Sequence, residues 1–141
     1  MEPFTDAETE YLVSQPLGRI ATASADATPD LAPVTFELDD AGRILVTGMD
    51  PKRTLKWRNV VATGQAAFAV DDLASRDPWT PRGVKVVGPA DTYDDAKGRS
   101  WIRITPATIW SWGINVGADT HFGPIEKRTV HLPSRSRSSK R

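Results

Sequence analysis

The 141-residue chain contains no cysteine, which removes disulfides, thiolate nucleophiles and cysteine-ligated metals from consideration. Only two histidines occur, His121 and His131, both late in the chain, and their spacing suggests neither a metal site nor a Ser–His pair. No apolar run approaches the length of a membrane span, and the opening MEPFTDAETE is acidic, unlike a secretion signal. A cytoplasmic protein is the simplest expectation. There is no Walker lysine loop, no dinucleotide glycine fingerprint and no internal repeat. If the chain is an enzyme, its reactive group is expected to come from a cofactor.

Net charge is also absent, since 18 basic residues balance 18 acidic ones. The balance is uneven, because Pro133–Arg141 (PSRSRSSKR) holds four of the bases and no acid. The body is therefore acidic, which argues against a nucleic-acid-binding face. The Ser/Arg-rich end reads as a disordered basic tail over 133–141, leaving residues 1–132 as one domain.

What is present reads mainly as β. Thr5-Asp6-Ala7-Glu8 is a capping box that opens a short helix to about Ser14, stopped by Pro16. Gly18–Ser24, Pro29–Leu38 and Arg43–Thr47 read as three strands of a meander, with turns at 25–28 and 39–42. A helix is expected from Asp50-Pro51, with Asp50 as its cap, to Thr63, closed by Gly64. Gln65–Val70 is a continuous apolar strand, and Asp71–Pro81 reads as a proline-bearing loop. Gly83–Tyr93 is a further strand, with Gly88-Pro89 marking a bulge or bend. Trp101–Thr105 and Ile109–Ile114 alternate as strands, the latter with Ile109 and Ser111 on one face and Trp110 and Trp112 on the other. Six or seven strands and two helices at this spacing suit a barrel.

One stretch stands out for chemistry. Gly48–Val60 (GMDPKRTLKWRNV) places Lys52, Arg53 and Lys56 around the hydroxyl of Thr54 at a helix start. Side-chain charge there adds to unsatisfied backbone N–H groups, a combination suited to phosphate. The paired carboxylates Asp39-Asp40 and Asp71-Asp72 fall in expected turns, which turn chemistry explains without acid–base work. Five tryptophans suit a core, a dimer interface or a platform for a planar cofactor.

The series GRIATASADATPDLAPVTFELDDAGRILVTG, the Lys/Arg-Thr-x-Lys-x-Arg-Asn helix start, AAFAVDD, GVKVVGPA and ITPATIWSWGI resembles the pyridoxamine-phosphate-oxidase-like split-barrel flavin and deazaflavin oxidoreductases, in particular the branch that uses coenzyme F420. The resemblance implies a six-stranded split β-barrel with an N-terminal helix and a helix after strand 3. It implies a homodimer with the cofactor at the interface, acting on a small-molecule substrate. Carried over by position, Val34 and Thr35 would line the ring, and Arg53, Thr54 and Lys56 would take the phosphate with Lys52 at the rim. Trp79, Arg82 and Gly83 would reach the site from the partner chain. The implied activity is hydride transfer between F420 and a conjugated organic acceptor, such as an unsaturated polyketide-type metabolite. The alternatives are an FMN-dependent oxidase or reductase, or a non-catalytic carrier of flavin, F420 or haem; no catalytic side chain is named. The cations around the helix start exceed what one phosphate needs, which leans toward F420 and its carboxylated tail. Relatives often have Asp-Gly where this chain has Asp26-Ala27, so a differently shaped turn is expected there.

Overall fold

The computed structural model describes residues 3–115 and 125–131. The basic tail at 133–141 and His121 lie outside the described residues. Helix α1 spans Asp6–Ser14, and its box forms as expected: the Thr5 hydroxyl accepts from the Glu8 N–H at 3.1 Å while Glu8 Oε1 accepts from the Thr5 N–H at 3.0 Å. The strands are β1 (Gly18–Ala23), β2 (Pro29–Val34), β3 (Glu37–Leu38), β4 (Ile44–Val46), β5 (Gln65–Arg76), β6 (Trp79–Asp94), β7 (Ser100–Ile104), β8 (Thr108–Trp112) and β9 (Glu126–Thr129). Helix α2 covers Leu55–Thr63 and closes at Gly64. None of the helices among the described residues is long and apolar enough to cross a membrane.

The mainly β class is as expected, with nine strand segments among the described residues in place of six. Pro29–Leu38 is cut at Thr35-Phe36 into β2, which pairs with β1, and β3, which pairs with β4. The second helix therefore follows the fourth strand segment, not the third. The proline-bearing loop is not a loop. Leu73, Ser75 and Arg76 pair with Pro81, Thr80 and Trp79, and only Asp77-Pro78 turns the chain. Asp71 and Asp72 thus sit on a strand, where cross-strand pairing outweighs their turn preference. Ala27 adopts φ 69°, so the Asp26-Ala27 turn keeps the left-handed residue. The Ala27 N–H donates to Ser24 O at 2.9 Å and the Thr28 N–H to Ser24 Oγ at 3.1 Å, which holds it there.

All described pairings are antiparallel, in the order β2-β1-β5-β6-β7-β4-β3, with β8 and β9 branching from β6. One edge of β6 runs along β5. The other is shared, Gly83–Val87 pairing with β8 and Ala90–Asp94 with β7. Gly88 and Pro89 are the hand-over point, and the register against β5 runs through them unbroken. The irregularity lies instead on β5, between Leu73 and Ser75. Gly88 is required by proximity: a Cβ there would stand 1.9 Å from the Thr105 carbonyl oxygen. The core fills the curved interior with alternating side chains, including Ile20, Phe68, Val70, Val84, Val86, Ile102, Ile104 and Ile109. Burying each such side chain contributes about 1.5–3 kcal/mol. The alternation of β8 is as expected, Ile109 and Ser111 being buried and Trp110 and Trp112 only partly so.

Candidate functional site

The basic stretch does not form one helix. Pro51–Arg53 makes a single 3₁₀ turn, and Asp50 makes no side-chain cap. Thr54 is the cap of α2: its backbone is extended, and its hydroxyl accepts from the Trp57 N–H at 3.2 Å and donates to Pro51 O at 2.7 Å. Threonine is the better cap because its oxygen reaches the orphan N–H groups of the turn that follows. At the far side of the helix, the buried Asn59 amide donates to Thr22 Oγ1 of β1 at 3.0 Å, so the helix start is held at a set place on the sheet.

Beside this start lies a broad groove of about 1270 Å³. Three segments line it: Thr35 and Glu37 after β2, Thr47–Lys52 leaving β4, and Asp95–Trp101 between β6 and β7. The Thr47 hydroxyl donates to Ser100 O at 2.6 Å and ties two of them together. Lys52 Nζ sits 3.4 Å from Asp94 Oδ2. Asp95 organises the β6–β7 turn: one oxygen accepts the N–H groups of Lys97 and Arg99, each at 2.9 Å, and the other accepts Trp101 Nε1 at 2.9 Å. The Trp101 indole and the Arg99 N–H hold the Asp95 carboxyl below its ordinary pKa. Bonding from Ser100, with help from Lys52, does the same for Asp94.

The residues expected at the site are distributed unequally. Thr35 and Lys52 meet in the groove, while Val34 ends β2 with its side chain buried in the core. Arg53 points to solvent with its side chain 85% exposed, 3.8 Å from Asp50. Thr54 is committed to capping, and Lys56 lies half-buried on the first turn of α2 outside the groove lining. Trp79 is 53% exposed beside the β5–β6 turn. Arg82 is engaged within its own chain, its guanidinium bidentate to Asp72 at 2.7 and 3.0 Å and 5.0 Å from the Tyr11 ring centroid. Tyr11 also donates to Asp72 at 2.9 Å, and burial and this carboxylate push its phenol pKa up. Gly83 is packed so closely that a Cβ would lie 2.4 Å from the Trp112 ring.

Sequence reasoning missed the wall built from Asp95-Ala96-Lys97-Gly98-Arg99. Its signal was present as an Asp followed at three residues by Gly, a turn pattern that carries two cations. It also missed that Glu8, chosen as half of a capping box, is fully buried against Arg128 of β9. No sequence rule links residues 120 apart.

A family model described as pyridoxamine 5′-phosphate oxidase matches residues 4–113. The chain is 41% identical over 121 residues to the 5a,11a-dehydrotetracycline/5a,11a-dehydrooxytetracycline reductase of Streptomyces rimosus, covering 79% of this chain and 84% of that protein. Among solved structures, a conserved hypothetical protein from Mycobacterium tuberculosis superposes with a TM-score of 0.67 at 19% identity, over 82% of this chain and 94% of that one. The FAD binding protein from Mycobacterium smegmatis superposes with a TM-score of 0.59 at 22% identity, over 75% and 92%. At such identities the structural likeness speaks for the fold, and the fold is the split barrel that the sequence led to.

Proposed function

The chain belongs to the pyridoxamine 5′-phosphate oxidase family and is an oxidoreductase of its split-barrel type, and we propose that it is a cytoplasmic, homodimeric reductase using coenzyme F420 on an unsaturated polyketide-type metabolite. The observation that carries this reading is the 41% identity to a dehydrotetracycline reductase across most of both chains. The groove supports it. Pockets for drug-sized ligands measure roughly 300–1,000 Å³, and a somewhat larger open groove suits a tricyclic ring with an extended tail. Its chemistry also suits an anion, since Lys52, Lys97 and Arg99 line it beside the start of α2. Three acids also line it: Asp95 is held by three N–H donors and Asp50 lies beside Arg53, while Glu37 makes no ion pair among the described residues.

A reduced deazaflavin held there would supply a hydride to a conjugated C=C or C=N bond, with the proton that completes the reduction taken from solvent. The chain's own work is placement and exclusion of water. Thr35 and the backbone after Val34 flank the ring in this reading. Lys52 would hold the phosphate, with Arg53 and Lys56 close in sequence but outside the groove lining, while Thr54 acts by fixing the helix start and not by touching the ligand. From the partner chain Trp79 is the side chain best placed to reach across, being half exposed at the hairpin end. Arg82 and Gly83 shape that hairpin from within. The test is a titration with F420 and with FMN, read by quenching of tryptophan emission, to which Trp101 in the groove contributes. F420 is expected to bind at least tenfold more tightly than FMN, and Lys52→Ala to weaken F420 binding about tenfold. A preference for FMN would move the assignment to a flavoenzyme, and binding of neither would remove it.

A further inference from the structure

We propose that the β6–β7 turn is the part of the groove that reads the acidic tail of the cofactor, with Lys97 and Arg99 selecting a multiply carboxylated tail over a single phosphate. This inference rests on the F420 reading above and adds to it the residues that decide between cofactors. Both side chains are exposed and line the same groove as Lys52, but from a different segment. Among the described residues, Lys52 pairs with Asp94, Arg53 with Asp50 and Arg82 with Asp72, whereas neither Lys97 nor Arg99 has a carboxylate within ion-pair distance. Their charge is therefore available to a ligand. Arg99 lies 5.8 Å over the Trp101 ring, a loose contact that leaves its N–H fork open.

The turn is organised before any ligand arrives. Asp95 Oδ1 accepts the Lys97 and Arg99 N–H groups, Asp95 N–H donates to Arg99 O at 2.8 Å, and Gly98 N–H donates to Asp95 O at 2.9 Å. Thr47 fastens the end of the turn through Ser100 O. The backbone bearing both cations is thus fixed, and less ordering entropy is lost on binding. The carboxyl that organises the turn is held by N–H donors facing it, which mutes its repulsion toward an incoming anion. Arginine can grip a carboxylate through two parallel bonds, and lysine adds a mobile point charge. A single phosphate is satisfied at Lys52 and the α2 start. Only a ligand carrying further carboxylates has use for a second cationic segment.

The experiment compares wild type with the Lys97→Ala/Arg99→Ala double variant, both of which keep the backbone N–H groups that Asp95 needs. Dissociation constants are measured by tryptophan quenching and calorimetry for F420, for FMN, and for the deazaflavin fragment that lacks phosphate and tail. The double variant is expected to lose at least tenfold in F420 affinity while its FMN and fragment affinities stay within twofold. Wild-type F420 binding is expected to weaken with salt more steeply than that of the double variant. The Lys97→Arg/Arg99→Lys exchange is expected to retain most of the affinity. Equal F420 affinity in wild type and double variant overturns this inference and leaves the F420 reading standing. A parallel loss for all three ligands also overturns it, since the turn would then be scaffolding. A wild-type protein that does not bind F420 overturns both.

Discussion

Glu8 shows how much one side chain can carry away from the groove. Its carboxylate has 0% exposure, and burial alone pushes its pKa up. The Arg128 guanidinium, the Thr5 N–H, Ser111 and the Asn115 amide more than reverse this and bring it down to about 2. A carboxyl whose pKa is lower in the folded chain adds stability above its unfolded pKa of about 4.5, and that stability is lost as pH falls toward about 2. Glu8→Gln is expected to lower stability by roughly 2 kcal/mol at pH 7, since a charged partner is left without its counter-charge. The gap between wild type and variant should close progressively in melts from pH 4.5 down to pH 2. A gap that is constant with pH would mean that Glu8 acts by shape alone. The helix cap was legible here because its partners lie three residues apart. The buried pair was not, because Arg128 comes from the other end of the chain.

At the scale of the element, the hand-over on β6 brings β7 beside β6 and so places the β6–β7 turn that lines the groove. The two prolines and three acids of Asp71–Pro81 read locally as a loop, yet β5 and β6 pair along their length, and Asp71, Asp72, Leu73, Ser75 and Arg76 are all in that register, which makes the stretch strand. Gly88 is the position where β6 passes from β8 to β7, and the Thr105 carbonyl leaves no room for a side chain. Gly88→Ala is therefore expected to lower stability by about 2–3 kcal/mol, seen as a lower urea midpoint, because backbone and not a mobile side chain must give way. Gly48→Ala is the control. Nothing lies within 4 Å of a Cβ there, and a change within about 0.5 kcal/mol is expected. Similar losses at the two glycines would mean that the close approach is not what Gly88 supplies. Local spacing did mark the helix start, but the choice of Thr54 over Asp50 as cap depended on the extra 3₁₀ turn set by Pro51.

For the whole molecule, the outer face of the sheet is the surface that the proposed dimer would use. Leu31, Ala21, Ala67, Val87 and Thr108 lie opposite one another on successive strands. Leu31 remains 69% exposed and Val87 39% exposed. A strip of small and apolar side chains across five strands suits a self-complementary interface. Sedimentation is expected to give twice the chain mass at micromolar concentration, with Leu31→Asp shifting the equilibrium toward monomer. A monomer at every concentration would withdraw the cross-chain role proposed for Trp79.

The sequence by itself determined the β-rich class, the two helices, the alternation of β8 and the basic start of α2, because each is written in neighbours a few residues apart. Two of the residues it proposed for the site, Thr35 and Lys52, line one groove. Only the tertiary structure decided that Arg82 would be held by Asp72 and Tyr11, and that Lys97 and Arg99 would line the same groove as Lys52. Those outcomes depend on which strands pair. Antiparallel pairing brings the β6–β7 turn against the exit of β4, a juxtaposition that arises from hydrogen bonds between segments about fifty residues apart, as from Thr47 to Ser100, and no local pattern encodes it.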